Sequence, residues 1–170
     1  MRPLKLTMSA FGPYAGEEIV DFTLLKDKKI FLITGPTGAG KTTIFDAISF
    51  AIYGKASGGD RESENFRSDF AEEDRITYVE LSFLLKGKEY YIKRTPQQQK
   101  KKRKGDGYTE QKSDAELMTP EGKVYTGVTE VNKKVQELFG ISYEQFKQIV
   151  MIPQGEFREL LSSNSKDREE

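Results

Sequence analysis

Along the first third of the chain the apolar residues come in short runs separated by polar turns. Leu4 to Met8 alternates as a strand does, and after the turn-rich stretch Phe11 to Gly16 the sequence Ile19-Val20-Asp21-Phe22 predicts a second strand. Ile30 to Ile33 is a four-residue apolar run, short enough for a buried strand and too short for a helix. A glycine-rich turn follows. Thr43 to Tyr53 then places Ile44, Phe45, Ala47, Ile48, Phe50, Ala51 and Ile52 around most of a helical circumference, which predicts a deeply buried helix. Gly54 and Gly58-Gly59 end it.

The polar segment Asp60 to Asp74 reads as loop, interrupted by Phe66 and Phe70. Ile76 to Leu85 and Glu89 to Arg94 flank the turn Lys86-Gly87-Lys88 and predict an antiparallel hairpin. A polar tract from Gln97 to Gly107 separates it from the strand-like run Tyr108 to Met118. With little apolar area to offset its ordering entropy, the tract predicts a mobile hairpin tip. Val131, Val135 and Leu138 stand at helical spacing in a helix that Gly140 ends. A further helix begins at Ser142, where Ser142 and Gln145 have capping-box spacing and Tyr143, Phe146, Ile149 and Val150 form an apolar stripe. The polar residues Ser162 to Glu170 read either as the start of a solvated helix or coiled coil, or as a frayed terminus.

Composition narrows the chemistry. The 170 residues include 27 basic and 27 acidic side chains, so no global field draws the chain to nucleic acid or an anionic membrane, and any polyanion contact must be local. Histidine and cysteine are both absent, which excludes imidazole bases, thiolate chemistry, disulfides and zinc sites built from either residue. The opening Met-Arg-Pro-Leu-Lys-Leu is not a signal peptide, and no run approaches the roughly 18 apolar residues that span a bilayer. These features predict a cytoplasmic protein with no membrane partner.

One segment carries specific chemistry. Gly35-Pro36-Thr37-Gly38-Ala39-Gly40-Lys41-Thr42 satisfies G-x-x-x-x-G-K-[ST], with an apolar run before it and the apolar helix after it. Glycines let backbone N–H groups curl around a β-phosphate, and the helix N-terminus adds its partial positive charge. Lys41 is placed for the β and γ oxygens, Thr42 for Mg²⁺, and Thr43 follows on the same turn as a further nucleotide contact. The base-reading motif of guanine-specific proteins is missing: Asn132-Lys133-Lys134-Val135 lacks its aspartate, so ATP is favoured over GTP. Hydrolysis also needs a strand-end carboxylate for the metal and a group to position water. No apolar strand after the loop ends in a paired Asp-Glu, and Asp46, Asp60, Asp69 and Asp74 read as solvated surface carboxylates. The chain therefore reads as an α/β unit holding half of a catalytic apparatus.

The phosphate loop together with Met151-Ile152-Pro153-Gln154-Gly155-Glu156-Phe157 resembles the N-terminal ATPase half of the bacterial SbcC family of DNA-repair ATPases. The likeness also takes in Leu6 to Tyr14, Phe45-Asp46-Ala47-Ile48, Ala51-Ile52-Tyr53-Gly54 and Phe66-Arg67-Ser68-Asp69. The resemblance implies the N-terminal half of an ABC-type P-loop ATPase head with an antiparallel strand-rich lobe and a helical region at a Q-loop. It assigns residues 1–161 to the ATPase lobe and 162–170 to the start of a truncated coiled-coil helix. Gln154 becomes the Q-loop glutamine, which contacts Mg²⁺ and the attacking-water region, whereas by itself it reads as a solvated turn residue after a proline. An arginine that helps hold phosphate in eukaryotic and archaeal relatives is replaced here by Gly12. Arg67 is either a nucleotide- or DNA-contacting residue or a surface arginine paired with Glu64 or Asp69.

The same resemblance implies partners: the C-terminal ATPase half of the same protein, a second copy in an ATP-dependent homodimer, an SbcD-type nuclease subunit, and double-stranded DNA. It implies a bacterial ATPase that regulates nuclease action on DNA ends and hairpins, inactive or nearly so as an isolated fragment. A transporter-type nucleotide-binding switch acting on a protein or membrane subunit is the alternative. For DNA, the densest local charge is Lys100-Lys101-Lys102-Arg103-Lys104, which reads either as a sequence-independent phosphate contact or as a solvated loop.

Overall fold

A computed structural model describes residues 1–26, 28, 30–56, 66–102 and 106–150, the last three of these by backbone alone. Its centre is a six-stranded antiparallel sheet in the order β2-β1-β3-β4-β7-β8. The strands are β1 (Arg2–Phe11), β2 (Tyr14–Asp21), β3 (Tyr78–Leu85), β4 (Lys88–Thr95), β7 (Asp114–Met118) and β8 (Val124–Thr126). A separate ribbon pairs β5 (Gln98–Lys101) with β6 (Tyr108–Gln111).

Alternation explains which way the sheet faces. Val79, Leu81 and Phe83 of β3 are wholly buried, as are Ile92 of β4 and Leu117 of β7, while Tyr78, Glu80 and Ser82 between them are half-buried. The registers Leu81↔Ile92 and Ile92↔Leu117 align these residues on one face, which the helices cover. On the other face, the Lys93 ammonium meets Glu80 at 2.7 Å and lies over the Tyr78 ring. The β3–β4 turn is two residues long, and Lys86 and Gly87 both take positive φ, 52° and 77°, the combination that matches the twist of a hairpin.

Helix α1 (Lys41–Tyr53) lies against β1, β3 and β4, and α2 (Val128–Phe139) against β7 and β8. Ala47, Ala51 and Ile52 of α1 and Val131 of α2 are wholly buried, with Val135 1% exposed. Phe45 is the exception on α1, with 41% of its surface open. Helix α3 (Tyr143–Val150) begins with the reciprocal bonds expected of a capping box: the Ser142 N–H donates to Gln145 Oε1 at 2.9 Å, and the Gln145 N–H donates to Ser142 Oγ at 3.2 Å. Phe146 then packs its ring 4.9 Å from that of Tyr53.

Three expectations need correction. Residues 30–33 form no strand: Ile30 is 90% exposed and Leu32 84% exposed. No described strand lies alongside to accept their hydrogen bonds; Ile33 is half-buried against the edge of the core, and Phe31 meets the Phe22 ring at 5.9 Å. The tract Gln97 to Gly107 is not wholly a polar tip, because Gln98 to Lys101 form a strand and Gln98 is 7% exposed. Its carboxamide accepts from the Thr77 N–H at 2.8 Å and donates to the Thr77 carbonyl at 2.9 Å, standing in for a peptide group. Tyr108 to Met118 is consequently two strands, one in each sheet.

Candidate functional site

Helix α1 starts directly from Gly40, which takes φ 80° and ψ 14°, and no side chain caps it. The first N–H groups of an uncapped helix point outward and carry its positive end. Gly38 also takes positive φ, 85°. Gly40 answers two demands at once, since a Cβ there would also fall 2.6 Å from the Tyr14 hydroxyl and 2.9 Å from Pro13. That hydroxyl donates to the Gly40 carbonyl at 3.1 Å, so the β1–β2 turn braces the glycine loop. Burial pushes the Tyr14 phenol up, with Glu18 adding to the effect.

Lys41 is folded back onto its own loop. Its ammonium donates to the carbonyls of Gly35 at 2.8 Å and Pro36 at 2.7 Å, while the Ala39 N–H donates to Pro36 at 3.2 Å. Thr42 is exposed and Thr43 is buried. Gly12 has φ 58°, and a Cβ on it would lie 2.8 Å from the Thr43 methyl, so α1 leaves no room for a side chain at that turn.

A cavity of about 710 Å³ runs along this surface. Its walls are Gly12 and Pro13 from the turn, Thr37, Gly38 and Gly40 to Thr43 from the glycine loop and helix, and Phe66, Arg67, Asp69 and Phe70 from the loop after α1. The structure thus brings most of the expected phosphate-loop residues together with Arg67. Arg67 does not pair with Asp69. Its guanidinium donates to the carbonyls of Arg75 at 2.5 Å and Glu72 at 2.9 Å and to the Thr77 hydroxyl at 3.3 Å, holding the loop closed. Glu64, its other expected partner, lies outside the described residues.

Gln154, Arg103, Lys104, Asp60 and the segments 151–161 and 162–170 are likewise outside the described residues. Lys100 and Lys101 sit on β5 with Lys102 just beyond it, on the ribbon rather than at the cavity. Lys101 approaches Glu73 at 3.8 Å, and a hydrogen bond to that carboxylate raises the Tyr108 phenol. Asp69 and Asp74 are exposed, as a solvated role requires, but Asp46 is not: it is 3% exposed within α1. Among the described residues no group of three or more carboxylates converges to hold a metal ion.

Sequence reasoning missed Arg94. It is 2% exposed, and its Nε and Nη2 donate to the carbonyls of Ala51 at 2.7 Å and Ile52 at 2.8 Å. A strand residue therefore closes the C-terminus of the helix whose N-terminus forms the site, where a cation suits the helix dipole. Burial pushes its guanidinium down to about 10. The only signal was an arginine at an inward position of β4, in register with buried Val79 and Ala115.

A family model described as an AAA domain matches residues 5–170. The chain belongs to that family. This AAA domain is similar, over its whole length, to the SbcC component of the SbcCD nuclease of Vibrio cholerae, with 44% identity across 174 aligned positions covering 100% of this chain and 17% of that protein. It is similar to the same component in Lactococcus lactis at 39% identity, covering 99% of this chain and 17% of the relative. The chain thus spans about one sixth of the length of these curated relatives. Among solved structures, the SMC head domain from Thermotoga maritima aligns at 24% identity and a TM-score of 0.46, over 79% of this chain and 42% of that one. The AAA domain has a mixed α/β architecture, and no described helix is long and apolar enough to cross a membrane.

Proposed function

We propose that this AAA domain is the N-terminal part of an ATP-binding, ATP-hydrolysing DNA-repair subunit that dimerises on ATP and regulates a nuclease acting on double-stranded DNA. The observation that carries this reading is the uncapped start of α1 behind a glycine loop whose lysine meets no carboxylate among the described residues, in a chain 44% identical to a component of a nuclease. The loop's donor set suits a polyanion: outward N–H groups at Gly40 to Thr43, an ammonium held only by neutral carbonyls, and open space beside Gly38. Lys41 exchanges its two carbonyl partners for β and γ phosphate oxygens. Gly35 to Ala39 supply backbone contacts, and Thr43 lies in the first turn of the helix that carries the dipole. Thr42 and Gln154 would hold Mg²⁺, which supplies charge neutralisation on the phosphate oxygens when bound.

Ile30 and Leu32, exposed at 90% and 84%, support a covering partner, the C-terminal half of the same protein. That half completes the hydrolytic apparatus, so the 170-residue chain alone releases negligible phosphate. Lys100 to Lys104 contact duplex phosphate without reading bases.

The test uses the complete protein. Lys41→Ala abolishes tight ATP binding, whereas Gln154→Ala keeps much of the binding and loses turnover. Wild-type affinity in Lys41→Ala would sink the nucleotide reading, and loss of binding alone in both variants would remove Gln154 from catalysis. Replacing Lys100 to Lys104 by serine flattens the salt dependence of duplex affinity, and an unchanged slope would end the DNA assignment.

A further inference from the structure

The cavity beside the glycine loop is walled by more than the loop itself. Besides Thr37, Lys41, Thr43 and Gly12 it is lined by the loop carrying Phe66, Arg67, Asp69 and Phe70. Its size, about 710 Å³, lies within the range of sites that take a whole small molecule, roughly 300–1,000 Å³.

On this loop stands an aromatic ring that makes no ring contact among the described residues. Phe70 is 76% exposed, although the backbone on either side of it is fixed. On one side, Phe66 lies 5.0 Å from the Phe11 ring and 4.7 Å from Phe50, and the Ser68 N–H donates to the Ala10 carbonyl at 2.8 Å. On the other side, Arg67 ties down Glu72, Arg75 and Thr77. Between these anchors, the Phe70 N–H donates to Ser68 Oγ at 3.4 Å and the Ala71 N–H to the Ser68 carbonyl at 3.2 Å, making a closed turn. A ring of this size left in water on a rigid turn forgoes the burial that usually favours an aromatic side chain. It also spares a ligand the cost of ordering the loop.

We propose that Phe70 is the stacking surface for the nucleobase of the bound nucleotide. The proposal rests on the reading of Gly35 to Thr42 as the triphosphate site and adds to it the part of the ligand that the phosphate loop does not touch. A flat heteroaromatic base covers the exposed ring, and the sugar spans the wall formed by Thr43 and Gly12. Stacking is tolerant of base identity because every base has a π face, and it grows with ring area. Phe70 therefore sets affinity for a base, with purines ahead of pyrimidines, and does not choose between adenine and guanine. Arg67 is a positioning residue in this arrangement, since three of its five N–H donors hold the loop that presents the ring.

The experiment measures binding of ATP, CTP and inorganic triphosphate to the complete protein and to its Phe70→Ser, Phe70→Tyr and Lys41→Ala variants. Phe70→Ser weakens ATP by about tenfold, a value within the span of base stacking on an aromatic. It narrows the gap between ATP and CTP and leaves inorganic triphosphate unchanged, while Phe70→Tyr restores ATP. Equal weakening of ATP and inorganic triphosphate by Phe70→Ser, or no change in ATP, would overturn the proposal. Lys41→Ala weakens all three ligands. Were it to weaken none, the triphosphate reading itself would fail, a result distinct from failure of the stacking surface.

Discussion

Two apolar stretches of this chain, close in sequence and alike in composition, meet opposite fates. In α1, Ala47, Ala51 and Ile52 lose all contact with solvent, whereas Ile30 and Leu32, on the other side of the glycine loop, remain 90% and 84% exposed. The difference lies in what each can reach. The α1 side chains meet a completed antiparallel sheet whose inner residues come from β1, β3, β4 and β7, while residues 30–33 have no described strand beside them. Apolarity alone therefore does not bury a segment. The antiparallel lobe supplies its own cover, and the strand-like run that leads into the phosphate loop does not.

That contrast can be broken first at the sheet. Phe83 is wholly buried, with its ring 5.5 Å from Tyr90 and 5.8 Å from Phe139, so Phe83→Ala costs about 3–5 kcal/mol, read as a lowered urea midpoint. A change near zero would mean that the lobe is not the stable part. Arg94→Met comes next: it fills similar space but strands the carbonyls of Ala51 and Ile52, costing about 1–3 kcal/mol in the same measurement. If instead it stabilised the protein, burial of the charge would outweigh the helix cap.

A smaller effect is expected on the outer face of the sheet. Partial burial, then the hydrogen bond to Glu17, push the Tyr78 phenol up to about 12 from 10.0. The folded state thus keeps this proton to higher pH than the unfolded chain does. Its contribution is complete below pH 10.0 and disappears as the pH rises toward about 12. Solvent screening of the exposed carboxylate keeps it below that of Arg94. Tyrosinate absorbance followed alongside unfolding tests this, and Tyr78→Phe should flatten the alkaline decline. The smallest effect falls on the uncovered run. Leu32→Ser changes the stability of the 170-residue chain by less than about 0.5 kcal/mol, but weakens association with a separately supplied C-terminal half. Equal stability losses from Leu32→Ser and Phe83→Ala would erase the comparison.

Period and punctuation made much of this legible in the sequence. The two-residue turn at Lys86-Gly87, the alternation of Val79, Leu81 and Phe83, the glycines after α1 and α2, and the Ser142–Gln145 cap are local signals, and each matches a local geometry. The glycine loop could be read because its function constrains spacing. What escaped depends on contacts between distant residues. Nothing near Arg94 in sequence indicates that it closes α1 about forty residues earlier, and nothing near Gln98 indicates a partner at Thr77. The segment 30–33 departs from its pattern for the opposite reason, because a local pattern suited to a buried strand has no described strand beside it to realise it.

The glutamine that holds the β5–β6 ribbon has a consequence for how such a protein can change. The ribbon forms its own two-stranded sheet, and a single carboxamide bridges it to the backbone at Thr77. Because this anchor sits at the base, between Pro96 and Gln99, residues can be gained or lost in cross-strand pairs at the far end without shifting the register of the main sheet. The outer ribbon can thus be lengthened or shortened without disturbing the glycine loop. It is also a natural place to graft a foreign hairpin, provided that Gln98 is kept.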